Sequence, residues 1–120
     1  MRCRTEIPLV LSQAINSSGS LTISGGGNSR VFHVKGATVT ISDVTLTGGN
    51  GVGVDNTENT KNGGAIYSNL GSVTLNRVYF WGNNISAPAG QGINGLGAGL
   101  YVYGGQHLIQ NSSFSNNSTT

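Results

Sequence analysis

Residues 63–67 read GGAIY, and residues 97–101 read GAGLY. Thirteen residues past the first tyrosine comes FWGN (80–83), and thirteen past the second comes FSNN (114–117). Two phrases repeated at one separation mark a structural unit written twice. Self-similarity at a fixed period is the signature of repeat architectures.

The repeat extends well beyond the quoted residues. A shift of 34 residues sets Val39, Ile41, Val44 and Leu46 on Val73, Leu75, Val78 and Phe80. A second shift lands on His107, Ile109, Ser112 and Phe114. Phe32 falls on Ile66 and Leu100, and Val34 on Ser68 and Val102. A shift of 18 sets Leu21 and Ile23 on Val39 and Ile41, which predicts an earlier, shorter unit in the same register.

Within each unit the period is two. ATVTIS, DVTLT, SVTLN and SLTIS alternate small polar with apolar residues, the pattern of short strands with one buried face. Between them lie GGNGVGVDNTENTKNGG (48–64) and GNNISAPAGQGINGLGAG (82–99), read as loops inserted at one equivalent place in successive units. Strands in step at fixed spacing predict an all-β chain, a parallel β-helix of about four coils with two long loop insertions. It forms a single domain over 1–120, with 1–17 as an N-terminal lead-in or cap.

GGAI (63–66) and the two FxxN tetrapeptides resemble the paired repeat motifs of polymorphic outer-membrane autotransporter passengers. More broadly, residues 18–118 are similar to right-handed parallel β-helix surface proteins of bacteria. The resemblance implies a right-handed solenoid in an extracellular or cell-surface setting. It does not fix function, because such helices carry adhesins, polysaccharide lyases and glycosidases alike. No stretch resembles the membrane barrel that follows an autotransporter passenger. FSNNSTT follows a coil corner without a polar cap, so the expectation is a fragment of a longer solenoid, or one associating end to end through uncapped coils.

Composition fits this reading. Charged residues are only 8% of the chain, and Gly accounts for 20 of 120 residues. The formal charge of +2 comes from Arg2, Arg4, Arg30, Lys35, Lys61 and Arg77, which form no stripe. A nucleic-acid partner is thus not expected. No apolar run approaches the roughly 18 residues of a membrane span. Cys3 stands alone, so no internal disulfide forms.

Stacked coils predict inward rows Leu21–Val39–Val73, Ile23–Ile41–Leu75–Ile109, Val44–Val78, Leu46–Phe80–Phe114 and Phe32–Ile66–Leu100. Phe80 and Phe114 fill a corner of the core. Asn83 and Asn117 are read as left-handed turn residues whose amides bond the next coil. Gly63 and Gly64 allow a sharp entry into the next strand. All six are structural assignments.

Binding would use what the rows leave outside. One outward row is His33–Tyr67–Tyr101, with Tyr103 two residues along. Another face carries Tyr79 and Trp81 beside Thr45 and Thr47. Exposed rings on a flat sheet can stack on sugars, whereas a ladder of like side chains can equally serve only to bind strands together. Thr22, Thr40 and Thr74 make an outward threonine array of the kind found in ice-binding proteins, although it breaks at Leu108. Asp43 opposite Arg77 reads as a cross-strand ion pair.

Chemistry is thinly provided. The four carboxylates are Glu6, Asp43, Asp55 and Glu58, and a glycosidase needs two facing one another. Asp55 and Glu58 in DNTEN are weak candidate ligands for a cation. His33 and His107 lack a third ligand for zinc. No cofactor is implied and no catalytic residue is assigned. Sequons at Asn16, Asn84, Asn111, Asn116 and Asn117 are expected by chance in so Asn- and Ser-rich a chain. The expected function is a non-catalytic secreted or cell-surface scaffold or adhesion module that binds a glycan or a host or surface protein. The alternative is a truncated polysaccharide-active enzyme, pectate-lyase-like or a glycosidase.

Overall fold

Alternation of period two can bury a strand only against another strand, and a computed structural model shows where each one pairs. It describes residues 7–9, 13–53, 61–86 and 95–120; within 13–20, only the side chain of Ile15 is described. The elements are β1 (Ile7–Leu9), β2 (Gln13–Ser24), β3 (Phe32–Lys35), β4 (Thr38–Thr47), β5 (Ile66–Asn69) and β6 (Ser72–Trp81). They continue with β7 (Asn84–Ile85), β8 (Leu100–Tyr103), β9 (His107–Gln110), β10 (Ser113–Ser115) and β11 (Ser118–Thr119). No helix occurs among the described residues, and the chain is all-β.

Every strand pair is parallel. The first sheet has the order β1-β3-β5-β8, the second β10-β6-β4-β2 with β9 also on β6, and the third is β11-β7. The chain therefore leaves each sheet and returns to it one strand further on. Parallel neighbours require such crossovers, since a hairpin can join only antiparallel strands.

The pairing follows the 34-residue shift. Val39, Ile41, Val44 and Leu46 sit beside Val73, Leu75, Val78 and Phe80. Leu75 continues to Ile109, and Phe80 to Phe114. Ile7, Phe32, Ile66 and Leu100 form one row across the first sheet. These rows make a narrow buried core of Val, Ile, Leu and Phe. Burying each such side chain contributes roughly 1.5–3 kcal/mol. Phe80 is fully buried and stacks on Phe114, with ring centroids 4.5 Å apart and planes 5° from parallel. Phe114 and Ile109, in the last pairing strands, are half exposed.

The 18-residue shift is corrected by the structure. Ile15 pairs with Ile41, while Leu21 pairs with Val44 and Ile23 with Leu46. Between Asn16 and Leu21 the register jumps, opposite the corner at Asp43. Leu21-Thr22-Ile23 matches Val39-Thr40-Ile41 and Val44-Thr45-Leu46 equally well, on either side of the Asp43 bend, and it pairs with the second.

Left-handed residues mark the bends. Gly36, Leu70 and Gly104 have positive φ, as do Asp43, Arg77 and Asn111, and Gly48, Gly82 and Asn116. Each trio recurs in the 34-residue register. Gly63 and Gly97 form a further pair at φ 67° and 66°. Gly64 does not have a left-handed φ, but a Cβ there would collide with the Ala98 carbonyl, so packing rather than backbone angle requires glycine.

Asn83 and Asn117 depart from their expected turn role. Gly82 and Asn116 hold the left-handed conformation, one residue earlier in each case. Asn83 is instead fully buried, and its Oδ1 accepts the Gly49 N–H at 2.9 Å. Its Nδ2 donates to Leu46 O at 3.1 Å and to Asn117 Oδ1 at 2.8 Å. A left-handed bend leaves backbone groups unpaired near the core, and the asparagine amide satisfies them.

Candidate functional site

The exposed aromatic face is made by alternation on β6. Phe80 points into the core, so its neighbours Tyr79 and Trp81 point out, 49% and 55% exposed. Tyr79 lies between Thr45 and Ser113, and Trp81 between Thr47 and Ser115. Short hydroxyl side chains on both sides leave the two rings standing above the sheet. Their positions along the strand are about 6.6 Å apart, two residues of extended chain.

Beside this face the chain turns at Arg77. Its guanidinium makes a two-point bond to Asp43, Nε to Oδ1 at 2.5 Å and Nη2 to Oδ2 at 2.9 Å. The bond to Arg77 holds the Asp43 carboxyl below its usual range, and the same bond raises Arg77. Asp43 is the one carboxylate side chain among the described residues. Asp55 and Glu58 lie outside them.

The expected outward row on the first sheet is different from the sequence reading. His33 and Tyr67 are buried, 5% and 8% exposed, and neither presents a ring to solvent. Tyr101 is half buried, while Tyr103 is exposed. His33 stacks on Tyr67 with centroids 4.8 Å apart, and Tyr67 leans on Tyr101 at 5.6 Å. Arg30 lies over Tyr67. It is buried, its guanidinium 5.2 Å from the Tyr67 ring centre, a cation–π contact. Nε reaches Asn62 O and Gly63 O, and Nη2 donates to Gly51 O at 2.7 Å. One arginine thus ties together the two ends of the inserted segment and lays them over the aromatic ladder.

The structure brings Tyr79 and Trp81 together on one strand and leaves Tyr103 on a different sheet. His33 and His107 are likewise on different sheets. His107 Nδ1 accepts Val73 N–H and Nε2 donates to Gly104 O at 2.7 Å, which serves the backbone. No group of three metal-ligating side chains occurs among the described residues. Thr22 pairs with Thr45 rather than Thr40, so the threonine row is only Thr40–Thr74, followed by Leu108.

Sequence reasoning passed over one feature. Immediately after Trp81, Gly82 bends the chain and opens a cleft of about 220 Å³ bordered by Gly48, Asn50, Lys61, Asn84 and Ser86. Lys61 Nζ donates to Ser86 O at 2.7 Å. The lysine lies in a loop segment with no periodicity, so no pattern pointed to it.

Comparison with protein-family models, curated proteins and solved structures returns no match. No helix of the described residues is long and apolar enough to cross a membrane.

Proposed function

We propose that the chain winds as a right-handed parallel β-helix of about four coils and serves as a non-catalytic binding module, secreted or displayed at a cell surface, whose ligand is a glycan. Parallel pairing with return to each sheet, and left-handed bends recurring in register, support the winding. Its likeness to polymorphic outer-membrane autotransporter passengers belongs to the same proposal. So does end-to-end association, for which the half-exposed Ile109 and Phe114 offer an apolar edge.

The observation that carries the function is the Tyr79–Trp81 pair. Two amphipathic rings half exposed on one flat row, flanked by Thr and Ser hydroxyls, suit the alternating apolar faces and hydroxyl edges of a sugar chain. A hydrolytic enzyme would want paired carboxylates facing one another. The single described carboxylate side chain is engaged by Arg77. An oligosaccharide array probed with the native chain and with Trp81→Ala tests the reading, alongside a turnover screen on the polymers that bind. Binding lost in Trp81→Ala, without turnover, is the expected result. Polymer cleavage by the native chain would contradict it.

A further inference from the structure

We propose that the cleft beyond Trp81 makes the ligand an anionic glycan, with a carboxylate or sulfate of the sugar chain held by Lys61 and Asn84. This rests on the carbohydrate reading of the Tyr79–Trp81 face and narrows its ligand class. Gly82 follows Trp81 directly, and Gly48 follows Thr47, the partner of Trp81 across the ladder. Both glycines line the cleft, which thus begins one residue beyond Trp81 and beyond its partner Thr47.

The cleft is built for an acceptor. An ammonium carries three donors, and Ser86 O takes one from Lys61 while fixing its position in the wall. Asn84 Oδ1 accepts from Ser118 Oγ at 3.1 Å, which leaves its Nδ2 to donate. Asn50 donates one Nδ2 hydrogen to Gly27 O and accepts the Val52 N–H at Oδ1, which fixes its amide in the wall with a second Nδ2 hydrogen left to donate. Gly27, Gly48, Gly49 and Gly82 present no side chain, and a sugar ring can approach the backbone closely. Among the described residues, no carboxylate lines the cleft or meets Lys61. Of the other described cations, Arg77 is bonded to Asp43, Arg30 is buried against carbonyl oxygens, and Lys35 ends β3 on the first sheet. Lys61 is the cation that lines the open cleft beginning at Gly82.

Calorimetric titration of the whole chain separates this from the broader reading. The probes are a galacturonate oligomer, its methyl ester, a sulfated oligomer and a neutral oligomer of matched length. The acidic form should bind at least roughly tenfold more tightly than its ester, the effect of one charge-assisted hydrogen bond. Added salt should narrow the gap. Lys61→Gln should bring the acid down to the level of the ester, and Lys61→Arg should retain the preference. Tighter binding of the sulfated oligomer with the same Lys61 dependence would support the site and identify the anion as sulfate. Equal affinity for acid and ester, with binding still lost in Trp81→Ala, would overturn the anionic assignment and leave the carbohydrate reading standing. An acid preference untouched by Lys61→Gln would also overturn it. No binding to any of the four probes would sink both.

Discussion

Asn83 and Asn117 lie 34 residues apart and share one hydrogen-bonded ladder. The Oδ1 of Asn117 receives both the backbone N–H and the side-chain Nδ2 of Asn83, at 3.1 and 2.8 Å. Asn117 Nδ2 then donates to Phe80 O at 2.9 Å, as Asn83 does to Leu46 O. The same bond is thus made in consecutive repeats, at the bend that follows each phenylalanine.

Removing the buried member should be costly. Asn83→Ala strips partners from the Gly49 N–H and the Leu46 carbonyl, both beyond easy reach of water. Each orphaned buried group costs about 1–3 kcal/mol, so a loss of about 2–4 kcal/mol is expected. Asn117→Ala should cost less, because Asn117 is only half buried. Urea unfolding midpoints for the two variants check the order.

Leu70 offers the opposite case. It holds a left-handed φ of 56° while its side chain is largely exposed, and its counterparts in register are Gly36 and Gly104. The left-handed region costs a residue with a Cβ roughly 1–2 kcal/mol, partly offset by the greater freedom of glycine when unfolded. Leu70→Gly should therefore stabilise by about 0.5–1 kcal/mol. Gly104→Ala should destabilise, since its new Cβ meets the end of Leu70 as well as a positive φ. Thermal melts of the two variants should move in opposite directions.

Ser68 is a buried hydroxyl without a partner. It occupies an inward position between Val34 and Val102, fully shielded, and its Oγ makes no hydrogen bond. Burying an unsatisfied hydroxyl costs about 1–3 kcal/mol. Ser68→Ala should accordingly be neutral or stabilising by about 1 kcal/mol, read from the denaturant midpoint at unchanged slope.

The Asp43–Arg77 bond sets a pH dependence. Because the bond lowers the Asp43 pKa in the folded chain, its contribution is fully present above the unfolded value, near 3.8. It is lost as the pH falls through the folded value. Asp43→Asn keeps a side chain that tolerates the left-handed φ of 57° and removes the charge. The stability gap between native and variant chains should be constant from pH 6 to 8 and close below about pH 4.

How far the sequence could be read follows from these particulars. Val39 beside Val73 and Ile41 beside Leu75 were legible, because rows of a parallel sheet repeat at the spacing of the unit. The pairing of β2 was not, since Leu21-Thr22-Ile23 matches Val39-Thr40-Ile41 as well as Val44-Thr45-Leu46, its true partner. The Asp43–Arg77 contact was legible as opposite charges in register. The burial of Tyr67 was not, for the Arg30 guanidinium over its ring is held by the carbonyls of Gly51, Asn62 and Gly63 in irregular chain without periodicity. Asn83 looked like a turn residue because asparagine serves equally as a left-handed residue and as a buried amide.

Trp81 is the one tryptophan in the chain, so its emission reports on the proposed ligand contact without background from another indole. The deciding measurement is a fluorescence titration of the native chain with oligosaccharides that score on the array. The expected result is a saturable change in Trp81 emission whose midpoint matches the calorimetric Kd. Saturable calorimetric binding that leaves Trp81 emission unchanged, or oligosaccharides that do not bind at all, would contradict a glycan seated on the Tyr79–Trp81 face.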